Sequence, residues 1–131
     1  MSKLEFNKKF FLKHSEFLFS EFIKNNEKYK TLAFFRRTPV AFLIMLKIME
    51  SYYADFDINV EELIKEIPNE IASRLSIFSF IGAATKKGFI IKNVSNRDKR
   101  KKFIKPSEML IKEYSEWLTN FATSAAAQYT F

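Results

Sequence analysis

The residues best suited to chemistry lie between Lys86 and Lys105, KKGFIIKNVSNRDKRKKFIK, where nine Lys/Arg stand against the single acid Asp98. That segment carries a net charge of +8 in a 131-residue chain whose total is +7, so everything outside it is close to neutral. Two short β-like runs, Phe89–Asn93 and Lys102–Lys105, flank a polar turn at Val94–Lys101, a pattern that predicts a hairpin with its charge at the tip. A cationic tip suits a polyphosphate. A charge run is also, in many proteins, only a solvated loop. Here it follows a helix that ends in Lys-Lys-Gly, which favours a purpose.

Other chemistry is thinly represented. His14 is the only histidine and has no carboxylate or thiol cluster around it in sequence, so neither a metal site nor a nucleophile–base pair is expected. The chain has no cysteine, which removes disulfides, thiolate ligands and thiol redox chemistry. Glu61, Glu62 and Glu66 read as a solvated helix surface. With only Gly82 and Gly88, no glycine-rich phosphate loop is available. The expectation is a protein without catalytic activity and without a cofactor.

Composition narrows the class further. At 47% hydrophobic and 28% charged residues, the chain is long enough to bury one real core. Two glycines and three prolines argue for long helices and few tight turns. Lys3, Glu5, Lys8, Lys9 and Lys13 interrupt the aromatic N-terminal segment, and no apolar run reaches the roughly 18 residues of a membrane span. A soluble, cytoplasmic protein that avoids membranes is expected, and a pI of about 9.6 points to nucleic acid as partner.

The elements that must position the basic segment follow from periodicity. From Leu4 to about Lys24, the series Leu4–Phe11–Leu18–Phe22 and Phe6–Phe10–Phe17 predict a helix with two adjoining apolar faces, wider than a single core contact needs. Burial on two sides, one of them against another subunit, accounts for that width. Tyr29–Phe35 forms a short helical turn. Thr38-Pro39 is a start signal for a helix to about Tyr53 that is apolar almost all round. After a break at Asp55–Asn59, Val60–Ile67 forms a second helix with Leu63, Ile64 and Ile67 inward, ended by Pro68. A third runs from Asn69 or Ser73 to Lys87 and stops at Gly88. Ile77, Phe80, Ile81 and Ala84 recur at spacings of three and four on one side of it. Ser73, Arg74, Ser76 and Ser79 lie opposite, with Phe78 and Ala83 at the margins. Ser107, backed by Glu108, opens a last helix through Trp117 and Phe121.

Helix, helix, helix, basic hairpin is the order of a winged helix-turn-helix, and the chain resembles the MarR (multiple antibiotic resistance regulator) family over about Pro39 to Trp117. The resemblance is carried by Lys86-Lys87-Gly88-Phe89-Ile90 at the start of the wing, by Asp98-Lys99-Arg100 as the family's Asp-x-Arg, and by Pro106-Ser107-Glu108 opening the next helix. It implies a mainly α fold with a small β-hairpin wing, organised as residues 1–37 (N-terminal dimerisation region), 38–106 (DNA-binding region) and 107–131 (C-terminal dimerisation helix). It implies a homodimer, with Phe10, Phe11, Phe17, Leu18, Phe22, Trp117, Leu118 and Phe121 as candidate interface residues. It further implies that Arg100, oriented by Asp98, enters a minor groove, that Arg97, Lys99, Lys101 and Lys102 contact phosphates, and that Ser73, Arg74, Ser76 and Ser79 face a major groove of double-stranded DNA. Arg74 would pair bidentately with guanine. The family's small aromatic ligands make Phe34, Phe35, Phe42 and Tyr53 candidate pocket residues, although aromatics at 17% of the chain are accounted for first as core. The expected function is a sequence-preferring transcription regulator. A protein–protein interaction module on the same fold, or a replication or partition protein of a mobile element, are the competing expectations.

Overall fold

Thr38 opens the helix on which the others pack. Its Oγ1 accepts a hydrogen bond from Ala41 N at 3.1 Å, and Pro39 occupies the first helical position. In the computed structural model, which describes residues 3–24, 27–94 and 102–128, this helix is the third in a chain of six helices and two strands. They are α1 (Lys3–Lys24), α2 (Lys30–Phe35), α3 (Pro39–Tyr53), α4 (Val60–Glu66), α5 (Arg74–Lys86), β1 (Ile90–Val94), β2 (Lys102–Pro106) and α6 (Glu108–Gln128). The molecule is therefore mainly helical with one small antiparallel sheet.

Along α3, Ala41, Ile44, Met45, Ile48 and Met49 are buried, the three-four spacing that lays one stripe against the core. Each of the Ile and Met side chains contributes about 1.5–3 kcal/mol by leaving water. The helix ends at Ala54, and Asp55 takes a left-handed turn at φ 55°. Ile58 then bridges to Ile104 of β2, with Ile104 N donating to Ile58 O at 2.8 Å. This ties the α3–α4 connection to the hairpin.

Asn59 and Ser73 cap α4 and α5 in the same manner. Asn59 Oδ1 accepts from Glu62 N at 2.8 Å and Ser73 Oγ from Ser76 N at 3.1 Å. Ser73 thus resolves the choice of start for the third helix. At its other end Gly88 N donates to Thr85 O and Phe89 N to Ala84 O, both at 3.0 Å, the paired bonds of a Schellman stop, with Gly88 at φ 80°. Phe89 is consumed by that stop, which is why β1 begins at Ile90 rather than at the expected Phe89. A Cβ on Gly88 would touch nothing within 4 Å, so its substitution is opposed by the backbone alone. Gly88→Ala is expected to lower unfolding free energy by about 1–2 kcal/mol in urea titration.

The hairpin pairs Ile90 with Pro106, Lys92 with Ile104 and Val94 with Lys102, so those six side chains share a face whose base, Ile90, Ile104 and Pro106, is buried. Ser107 N donates to Phe89 O at 3.0 Å and Ser107 Oγ accepts from Leu110 N at 3.1 Å, turning the chain directly from β2 into α6. From α6, Leu110, Tyr114 and Trp117 are buried. Glu113 is buried beside them and accepts from Leu32 N at 3.1 Å, supplying the start of α2 with a partner from 81 residues away.

α1 runs along α6. His14 Nδ1 donates to Phe10 O at 3.0 Å, the Phe17 and Phe121 rings are 5.8 Å apart, and Phe22 stands edge-on to Trp117 at 6.4 Å. Only one side of α1 is used this way. Phe11, Leu12, Phe19 and Ile23 are exposed, Phe19 at 72%.

Candidate nucleic-acid interface

The outer side of α5 is open to solvent. Ser73, Arg74, Leu75, Ser76, Phe78, Ser79, Gly82, Ala83 and Lys86 are all exposed, while Ile77, Ile81 and Ala84 are buried and Phe80 is half-buried against Phe34 and Phe35. Ser73, Arg74, Ser76 and Ser79 were expected on this side, whereas the exposed Leu75 was in neither expected set. At its end this face meets more charge. Lys86 and Lys87 close α5, and Lys92, Lys102 and Lys105 are exposed on the hairpin that leaves it. Arg97, Asp98, Lys99, Arg100 and Lys101 lie outside the described residues.

Two polar groups of the face are not what the sequence suggested. Ser73 Oγ is occupied as the cap and also donates to Ser76 Oγ at 2.9 Å. Arg74, expected to be a guanine fork, is instead forked onto Glu61 of α4, with Nη1 donating to Oε2 at 2.8 Å and Nη2 to Oε1, while its guanidinium lies 5.6 Å from the Phe78 ring centroid. The hydrogen bond from Arg74 holds the Glu61 carboxyl below its usual range and raises Arg74 in turn. Because Glu61 is depressed, the contribution of this pair is present above the ordinary carboxylate pKa and is lost as pH falls through the depressed one. A surface carboxylate 13 residues away in sequence gave no signal of this partnership.

No known protein family, characterised protein or solved structure matches the chain.

A second cationic group lies around Phe34 on α2. Lys30, Arg36, Arg37 and Lys87 line a cleft of about 510 Å³ together with Phe22, Phe34 and Phe89. Arg37 and Lys87 sit 5.5 and 5.8 Å from the Phe34 ring. Arg36 lies 4.7 Å from the Phe22 ring and 5.7 Å from that of Trp117, and its three guanidinium nitrogens are buried with no hydrogen-bond partner among the described residues. Burial pulls its pKa below the ordinary value, against the opposing fields of Glu21 and Glu113. The adjacent Arg36-Arg37 in the sequence was the available sign of this cluster. Of the residues expected to line a ligand pocket, Phe34 borders this cleft, Phe35 is fully buried in the core, Phe42 packs on Phe22 and Trp117, and Tyr53 is exposed beside Tyr114.

The expected interface residues separate into two groups. Trp117 is buried within its own chain, and Phe22 packs on it, which gives both an internal partner. Phe17 and Phe121 are half-buried where α1 meets α6 and Phe10 is half-buried on α1, whereas Phe11, Leu18 and Leu118 are exposed. Leu12, Phe19 and Ile23, also exposed, were missing from that expectation. Among the described residues there is no cluster of metal-ligating side chains, and no helix is long and apolar enough to cross a membrane.

Proposed function

We propose that the chain is a homodimeric, sequence-preferring double-stranded DNA-binding protein of winged helix-turn-helix type that regulates transcription, with α5 in the major groove and the basic hairpin on the minor groove and phosphates. The observation that carries this reading is the uncovered outer side of α5 with exposed lysines at its end and on the hairpin that follows. Further support comes from the order α3, α4, α5, hairpin and from the Ile58–Ile104 bridge, which holds the hairpin to the helical unit. A helix of that width with small residues such as Ser79, Gly82 and Ala83 outward fits a major groove closely. The second copy of the chain is assigned to the exposed Phe11, Leu12, Phe19 and Ile23 of α1, since four large apolar side chains along one helix side contribute about 1.5–3 kcal/mol each once covered.

The same exposed α1 side favours a second reading, a protein–protein interaction module in which the hairpin only keeps the chain in solution. Titration of a random-sequence duplex pool by fluorescence anisotropy at two salt concentrations separates the two. The DNA-binding reading expects the logarithm of affinity to fall linearly with the logarithm of salt, with a slope of about −4 to −5 per subunit for roughly five neutralised phosphates. Absence of binding at 50 mM salt would favour the protein module. In the same assay Glu61→Gln, which releases Arg74 and removes a negative charge from the face, is expected to tighten binding severalfold.

A further inference from the structure

We infer that α5 selects thymine-bearing sequence, Leu75 and Phe78 making apolar contact with thymine C5-methyl groups. This rests on the proposed DNA-binding reading and names what that face would read. Leu75 is 75% exposed and Phe78 44% exposed, an unusual placement for two large apolar side chains on a helix that already buries Ile77, Ile81 and Ala84. Three residues apart, they are neighbours on one side of the helix. Leu75 lies in the first turn after the Ser73 cap, the part of such a helix that reaches base edges. Ser79 and Gly82 follow on the same side and add little bulk, so the helix axis can approach the groove floor.

The groove-facing chemistry then narrows by what is already engaged. Arg74, the guanidinium on this face, is forked onto Glu61 and lies over Phe78, and the Ser76 hydroxyl is joined to that of Ser73. Leu75 and Phe78 have no donor or acceptor to offer. Of the groups displayed in a major groove, only the thymine methyl is complementary to them. The apolar pair is followed along the chain by the exposed Lys86, Lys87, Lys92, Lys102 and Lys105, a charge arrangement matched to a polyanion that carries methyl groups.

The test uses the full chain and a duplex enriched by it from a random pool, resynthesised with deoxyuridine in place of thymidine one position at a time. Deoxyuridine keeps the Watson–Crick and O4 groups and lacks only the methyl. Affinity is expected to fall about fourfold for each contacted methyl removed, from the transfer free energy of one buried methyl-sized group. The double variant Leu75→Ala, Phe78→Ala, altered only at exposed positions, is expected to bind thymidine and deoxyuridine duplexes equally and to keep the wild-type salt slope. Equal wild-type affinity for every thymidine and deoxyuridine duplex, or a double variant that still discriminates them, would overturn the thymine assignment while leaving DNA binding intact. If no duplex is retained at all, the DNA-binding reading fails and the thymine assignment with it, as would capture of a protein partner through this face.

Discussion

Replacing Lys86, Lys87, Lys92, Lys102 and Lys105 together by Gln is expected to lower affinity for duplex DNA by at least two to three orders of magnitude at 0.1 M salt. Each cation that neutralises one phosphate adds about 0.9 to the salt exponent, so the loss of three contacts already flattens it by about 2.7. All five side chains are exposed, so thermal unfolding of the variant should match that of the parent protein. A salt exponent unchanged by the five substitutions would place the DNA, if it binds, on another surface.

The second large effect concerns α1. Phe19, at 72% exposure, lies on the side of α1 that Phe17 and Phe22 do not use for α6 and Trp117. Phe19→Glu places a charge where the proposed interface must be dry, and an uncompensated charge there costs several kcal/mol. Sedimentation is expected to give a dimer for the parent chain and a monomer for the variant at the same concentration. DNA affinity should fall about 10²- to 10⁴-fold as two linked half-sites become one. A parent chain that sediments as a monomer, or a variant that remains dimeric, would remove the homodimer from the proposal.

Much of the fold was legible because helix ends announce themselves locally. Thr38-Pro39, Asn59, Ser73, Gly88 and Ser107 each act within four residues, and the spacing of Ile77, Ile81 and Ala84 fixes which side of α5 is covered. What the sequence withheld is long-range. The Glu61–Arg74 pair and the Glu113–Leu32 bond join residues 13 and 81 apart, and no local pattern encodes either. Trp117 and Phe22 illustrate the same limit in the apolar residues: periodicity puts them on an inward side without saying whose interior they enter, and they pack against their own chain. Arg36 lies over Phe22 and Trp117 with its nitrogens out of solvent, contacts that no local pattern encodes. The candidate site was legible as a polar helix side beside a basic hairpin. Its apolar members Leu75 and Phe78 acquired a purpose only once both were placed outward.

The most direct measurement of the central claim is selection of duplexes from a random pool by the full chain, followed by sequencing. An α5 helix and hairpin used by two copies predict an enriched inverted repeat with half-site centres about one helical turn, roughly 10 bp, apart. A pool returned without enrichment, bound no better than bulk duplex, would contradict the account.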